Sequence, residues 1–458
     1  MFKSVILSCL GLFQGVSAAP SSYSDLLVKW KAVFGDNQLE FQNSAPSPKS
    51  LVFLVPLQSK TLGLEEFYKN FAKPPVGFGY DAVFASDYYG LRGQGDDVVK
   101  SFVNRLFVNA AKFETETGIT PRIIFDIEGF RANTNLELRN LIENSKYMFG
   151  WHVYDEGDAH LTGDKDVFAK SPAEIEQLLK GTLNIKYKHP LFSTYENQFG
   201  IPANRKFNYV NNTDALYLQY MAIHDKYHDG PNYFAVDYYL FNRSWSAVPT
   251  DQKLIYDMMV YCTMLVWRGN AKNHAFAWTE PTYQGLDWIC NAPGNKSRPA
   301  TPVELNAQIW LYWVGGQTSI RGDFNYIFNH LCLGIKGHNH EGLLHPYYTE
   351  HRKIVEAANE RQRELALFLN QKSIWFLTSH DFVKCGLRFY IENNQLQVLI
   401  LVVNISDQNI GQVAIVGHPV LNLLGDLQVL DETRKVKFDG NGFLIETFTP
   451  YQVKMFKL

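Results

Sequence analysis

Between about residue 50 and residue 330, short runs of β-branched and aromatic residues alternate with longer amphipathic stretches, and no other feature restricts the fold so much. Repeated strand–helix units of this kind build a parallel sheet covered by helices. Eight strands are expected, beginning near Leu51, Ala82, Arg122, Phe149, Leu191, Ala215, Ala275 and Thr318. Helical patterning falls between them at 97–116, 135–145, 172–180, 251–267 and 302–313, and a long charged helix at 348–371 follows the last strand. Thr301-Pro302-Val303-Glu304 reads as a helix start: Thr caps free amides, Pro fits the first turn, and Glu three residues on completes a capping box. Eight such units close into a (β/α)8 TIM barrel.

After Lys372 the period changes to two, in Ile374-Trp375-Phe376-Leu377, in Leu387-Arg388-Phe389-Tyr390-Ile391 and in the run Leu396 to Val403. Asn393-Asn394 and Asp439-Gly440-Asn441-Gly442 are tight-turn sequences, so hairpins are expected there. The chain is therefore read as an α/β barrel over 19–371 and a small all-β sandwich domain over 372–458.

Residues 1–18 read as a signal peptide. Lys3 supplies the positive start, Val5 to Phe13 the apolar stretch, and Val16-Ser17-Ala18 the small-residue cleavage site. Secretion, extracellular or periplasmic, is the expectation, and Cys9 departs with the leader. Cys262, Cys290, Cys332 and Cys385 remain, without the C-x-x-C spacing of a structural zinc site. Cys290 and Cys332 both follow late strands on the loop-bearing face and are the expected disulfide pair. Sequons at Asn211, Asn242, Asn295 and Asn404 are acceptors if the secretory pathway is eukaryotic.

A formal net charge of -3 with scattered basic residues offers no stripe for neutralising phosphates, so nucleic acid is not an expected partner. No internal apolar run is long enough to span a bilayer, so no membrane insertion is expected. His338, Asn339, His340 and His345 lack an H-E-x-x-H spacing, and neither a metal nor a cofactor is assigned. Aromatic residues make up 14% of the chain, with 25 Tyr and 9 Trp, and such rings suit ligands that are polar at the edge and apolar on the face.

In a barrel of this kind, reactive groups project from the C-terminal ends of the strands. Five strand ends carry polar clusters: Ser86-Asp87-Tyr88-Tyr89, Asp126-Ile127-Glu128, Tyr154-Asp155-Glu156, Trp278-Thr279-Glu280 and Arg321-Gly322-Asp323. Two carboxyl groups facing one cleft are what glycosidic cleavage requires, one to protonate the leaving oxygen and one to attack or to activate water. Glu156 and Glu280, after strands 4 and 7, answer that description. Asp126 and Glu128 form a rival pair, because D-x-E on a strand points both carboxylates the same way. Asp87, Tyr88, Trp151, Tyr220, Asp237, Tyr238, Trp278 and Arg321 are expected to line a sugar site.

The segment Phe149 to Glu156, FGWHVYDE, resembles the Gly-Trp-Tyr-x-x-Asp-Glu signature ending strand 4 in a group of barrel glycoside hydrolases distantly similar to the β-galactosidase-type clan. Arg298 to Gln308 resembles their helix before strand 8, and Val402 to Ser406 and Thr447 to Val453 resemble their appended β-domain. The resemblance implies a carbohydrate substrate and a retaining hydrolysis, with Glu156 as general acid/base and Glu280, by strand counting, as nucleophile. Where the best-characterised members carry Asn before the acid, this chain carries Asp155, which makes Asp155 an alternative working carboxyl. A catalytically inactive barrel that binds glycans or a cell-surface partner is the other reading, because fold alone does not establish activity.

Overall fold

The computed structural model describes residues 23–35, 52–56, 63–85, 91, 93–154, 170–195, 211–236, 240–241, 248–269, 272–282, 298–325 and 342–458. Eight parallel strands close a barrel in chain order: β1 (Val52–Pro56), β2 (Ala82–Ala85), β3 (Arg122–Asp126), β4 (Met148–Tyr154), β5 (Leu191–Tyr195), β6 (Tyr233–Val236), β7 (His274–Thr279) and β8 (Ile320–Asp323). A helix α1 (Tyr23–Phe34) precedes them. The barrel helices are α2 (Leu64–Phe71), α3 (Asp96–Thr117), α4 (Leu136–Glu143), α5 (Pro172–Lys180), α6 (Asn211–Tyr227), α7 (Val248–Gly269), α8 (Pro302–Val314) and α9 (Thr349–Glu364), trailed by a short α10 (Ala366–Leu369). Among the described residues, no helix is long and apolar enough to cross a membrane.

Local chemistry accounts for the helix starts. Thr301 before α8 and Ser171 before α5 each form the full capping box with a Glu three residues on. Asn135 caps α4 through the amide of Leu138. Inside the barrel, Val52, Phe84, Ile124, Phe192, Phe276, Trp278 and Ile320 belong to one packed cluster, so the barrel is filled rather than hollow.

The expected sixth strand at Ala215–Leu218 is instead part of α6. Tyr217, Tyr220, Met221, His224, Tyr227 and His228 are buried while Gln219, Ala222 and Lys226 are exposed, a period near 3.6 that a four-residue window cannot show. The true β6 begins at Tyr233. The eighth strand starts at Ile320, two residues later than expected, which puts Arg321 and Asp323 inside it.

The C-terminal region is an eight-stranded antiparallel sheet in the order β14-β13-β16-β11-β10-β9-β12-β15. Its strands are β9 (Ile374–Thr378), β10 (Val383–Glu392), β11 (Gln395–Asn404), β12 (Ile410–Val416), β13 (Leu427–Val429), β14 (Lys435–Val436), β15 (Phe443–Phe448) and β16 (Val453–Lys457). β9 pairs with β10 through Ile374–Phe376 and with β12 through Leu377 and Thr378, so one strand joins two halves that enclose a common core. Asn393 and Asn394 form the expected two-residue hairpin, with φ values of 51° and 59°. The turn at 439–442 forms too, with Asp439 accepting from the amides of Asn441 and Phe443, but its flanking strands β14 and β15 pair with other partners.

The unbroken apolar run in β11 has a structural cause. Leu396, Val398, Ile400 and Val402 face the β-domain core, while Leu399, Leu401 and Val403 join the core of the barrel. Helix α1 belongs with the β-domain, although the sequence places it with the barrel. Trp30 is fully buried in the β-domain core, edge-on to Phe389 at 5.1 Å and 4.7 Å from Phe34. Covalent order does not reveal this packing, since residues 23–34 precede β1 directly in sequence.

A buried arginine fastens the two regions. Arg388 of β10 is 0% exposed and donates to the carbonyls of Leu369, Gln371, Trp313 and Gln317 at 2.5 to 2.8 Å. Burial pulls its pKa down to about 9, so it keeps its charge at neutral pH. Two residues earlier, Gly386 admits the end of α8, where a Cβ would lie 3.1 Å from the Val314 carbonyl and 2.5 Å from Ser373 Oγ.

Of the sequons, Asn404 is fully buried. Its amide donates to the Gln408 and Thr449 carbonyls and its oxygen accepts from Ser406, so glycan attachment would break a closed network. Cys385 is a buried free thiol, and the Cys290–Cys332 pair lies outside the described residues.

Two expectations follow for stability. Arg388→Met leaves four buried carbonyls without their donor and should cost about 3–5 kcal/mol, measured as a lowered urea midpoint. Burial also pulls the imidazoles of His224 and His274 from 6.5 to about 4. Between those values the unfolded chain binds protons that the folded chain refuses, so stability is full above pH 6.5 and falls as pH drops toward 4. The decline should approach about 1.4 kcal/mol per pH unit for each histidine, read from urea titrations at stepped pH.

Candidate functional site

All eight strands point their C-terminal ends to one face, where the candidate residues gather unequally. Trp278, the next-to-last residue of β7, lies in the barrel's inner layer, 5.4 Å from Phe84 and 5.7 Å from Phe276 between ring centroids. Gly322 on the neighbouring strand makes room for it, since a Cβ there would meet the indole at 2.6 Å.

Glu280 follows the last residue of β7 directly and is 2% exposed. Its Oε2 accepts from the backbone amides of Leu240 and Phe241 at 2.5 and 3.2 Å and from Gln308 Nε2 at 3.3 Å. Three N–H donors on one oxygen suit an ionised, acceptor-only carboxylate. Gln308 also accepts from the Glu280 amide at 3.1 Å and donates to the Tyr312 hydroxyl at 3.0 Å, so one α8 side chain fixes both the backbone and the carboxylate of Glu280. The 240–241 turn is held from its other side by Arg298, whose amide donates to the Phe241 carbonyl at 2.9 Å and whose guanidinium lies 5.2 Å from the Phe241 ring.

The rival carboxylates part company. β3 ends at Asp126 and the chain turns at once, with the Phe130 amide on the Asp126 carbonyl and the Gly129 amide on Asp126 Oδ1 at 2.6 Å. Strand alternation therefore stops before Glu128, which corrects the expectation that the two acids point together. Asp126 is 5% exposed and lies beside His152, its cross-strand partner on β4, with Oδ2 3.8 Å from Nδ1. Glu128 is half-buried, 3.7 Å from Lys170.

Three expected lining residues lie elsewhere. Trp151 faces outward from β4 into the layer between barrel and helices, donating to Glu143 at 3.2 Å and packing on Phe125 and Tyr187. Tyr220 is in a helix rather than a strand, packs on Tyr154 and Tyr195, and donates to the Lys170 carbonyl at 2.7 Å. Arg321 faces outward from β8, where it forks onto Asp323, donates to Gln362 at 2.8 Å and lies 4.8 Å from the Phe53 ring. Asp323 also takes the Tyr80 hydroxyl at 3.1 Å and that of Thr279, which makes this cluster a clamp across β7, β8 and α9. Asp87, Tyr88, Asp155, Glu156, Asp237 and Tyr238 lie outside the described residues.

Two residues at the site were not singled out in the sequence. Gln308 stands in the Arg298–Gln308 motif, and a glutamine in an otherwise apolar stretch of α8 is its signal. His152 stands inside FGWHVYDE, on the same inward face of β4 as Gly150.

No family model matches the chain, and no curated protein does. Among solved structures it is similar to AmyP in complex with maltose, with 8% identity, a TM-score of 0.47 and coverage of 89% of this chain and 96% of that one. It is also similar to AbfB, a family 51 α-L-arabinofuranosidase from Bifidobacterium longum, with 10% identity, a TM-score of 0.41 and coverage of 90% and 96%. A third is CelM2, a bifunctional glucanase-xylanase from a metagenome library, with 8% identity, a TM-score of 0.40 and coverage of 90% and 96%.

Gln308→Met keeps the side-chain volume but removes an acceptor from the Glu280 amide and a donor from its carboxylate. The expected cost is about 1–3 kcal/mol, seen as a lower urea midpoint at unchanged m value.

Proposed function

We propose that this protein is a secreted glycoside hydrolase that cleaves O-glycosidic bonds of an oligo- or polysaccharide with retention. The observation that carries the reading is the placement of Glu280: an acid at the C-terminal end of a barrel strand, following an inward tryptophan, nearly buried, and oriented by two backbone amides and Gln308. A nucleophile must be held in one rotamer against the anomeric carbon, and a carboxylate fixed by three donors meets that need. β4 ends at Tyr154, so Asp155 and Glu156 follow the end of that strand directly in sequence.

In this reaction, Glu280 attacks the anomeric carbon while Glu156 donates its proton to the departing glycosidic oxygen. The sugar is then held as an ester of Glu280. Glu156, now a carboxylate, takes a proton from water, whose oxygen displaces Glu280 and restores both groups. The inner-layer aromatic rings supply an apolar floor, and the amides around Glu280 keep its charge in place without help from solvent.

The second reading, a silent barrel that binds glycans, is favoured by the same hydrogen bonds, since a carboxylate holding the 240–241 amides is also an anchor for a turn. Assays of wild type, Glu280→Gln and Glu156→Gln on aryl glycosides and polysaccharides separate the two. Hydrolysis should drop by about 100-fold or more in each variant, with thermal unfolding little changed. An activated leaving group should partly restore the first step of Glu156→Gln but not that of Glu280→Gln. Near wild-type turnover by Glu280→Gln would remove the nucleophile assignment, and binding without turnover by wild type would favour the silent barrel.

A further inference from the structure

The barrel interior carries the aromatic side chains of Phe84, Phe192, Phe276 and Trp278 in one packed cluster. Asp126 and His152 interrupt it. His152 meets Phe84 edge-on at 5.2 Å, and its Nδ1 stands 3.8 Å from Asp126 Oδ2. Both residues are only 5% exposed. A carboxylate and an imidazole are costly to bury side by side, and apolar residues of similar size would serve packing at least as well.

We infer that Asp126 and His152 are a hydroxyl-recognition pair for one sugar ring, resting on the reading of this barrel face as a saccharide site. Asp126 already accepts from the Gly129 amide, which fixes its rotamer, and a carboxylate has acceptor capacity for more than one donor. Its role is to accept a hydrogen bond from one sugar hydroxyl. The His152 ring supplies a donor beside it, so two neighbouring hydroxyls on one edge of a pyranose or furanose meet an acceptor and a donor in the right order. The Phe84 and Trp278 rings, 5.4 Å apart between centroids, give the apolar backing that the C–H face of such a ring requires. Neither residue takes part in the bond-breaking step; they select and orient the ring that Glu280 attacks.

Equilibrium binding tests this without relying on turnover. Maltotriose, cellotriose, xylotriose and arabinotriose are titrated against wild type, His152→Phe, His152→Leu and Asp126→Asn, followed by tryptophan fluorescence and saturation-transfer NMR. The two His152 variants differ in volume, so a packing fault in one is exposed by the other. Thermal unfolding identifies any variant that fails to fold. For the sugar that binds wild type, Kd should rise about tenfold or more in both His152 variants and in Asp126→Asn. Single-deoxy analogues supply a readout that a structural role would not move: one of them should bind wild type and the His152 variants equally. Kd values within about twofold of wild type in folded variants would overturn the pair, as would failure of every trisaccharide to bind wild type. Should binding depend on His152 while Glu280→Gln still turns over, only the nucleophile assignment falls. Should binding ignore His152 while Glu280→Gln is dead, only the recognition pair falls.

Discussion

Arg388 is the contact on which the arrangement of the two regions depends. A guanidinium with no exposure survives in the interior only because four carbonyl oxygens converge on it. Those carbonyls belong to the end of α8, the link into β8, the end of α10 and the segment before β9. The β-domain is thereby tied to the backbone that closes the barrel. Gln317, whose carbonyl Arg388 holds, turns its own side-chain oxygen to the amide of Ala277 in β7. One side chain of the β-domain thus bears, through a single residue, on the strand that carries Trp278 and Glu280.

Helix α8 transmits this order along its whole length. Its first turn is fixed by Thr301, Glu304 and the fork from Arg298, with His351 of α9 bonded to the Ala300 carbonyl at 2.5 Å. Its middle gives Gln308 to Glu280, and its last turn gives the Trp313 carbonyl to Arg388. Every residue from Ala307 to Val314 is buried, because the barrel lies on one side and β11 on the other. A helix apolar all round reads from sequence as a core helix. Here the polar exception, Gln308, marks the point where the core meets the candidate site.

Much of the fold was legible because strand and helix periods differ so plainly over long segments. Seven of the eight barrel strands, the capping box at Thr301, the Asn393-Asn394 hairpin and the change of character near Lys372 follow from local pattern. The failures share a cause. β6 is four residues long and its neighbour α6 begins with a stretch that also reads as a strand, so only the full spacing from Tyr217 to His228 separates them. Helix α1 shows its amphipathic face in sequence, but nothing local says that Trp30 is to be met by Phe389, more than three hundred residues away.

The site was less legible than the fold because a polar residue at a strand end has two sides to choose from, and composition does not choose. β7 and β8 are adjacent and both end in polar residues. On β7 the alternation that turns Thr279 outward turns Trp278 inward, and Glu280, one residue past the strand, is placed by the 240–241 amides and Gln308. On β8 it turns Arg321 and Asp323 outward, where they find each other, Tyr80, Thr279 and Gln362, and become a structural clamp. At β3 a strand two residues shorter than the D-x-E pattern requires sends Asp126 to His152 and leaves Glu128, half-buried, beside Lys170. Register and the last residue of pairing decide these outcomes, and both are set by contacts between strands distant in sequence. An acid at a strand end becomes informative only when its surroundings are known: Asp323, inside β8, is taken up by Arg321, while Glu280, past the end of β7, is held by the 240–241 amides and Gln308.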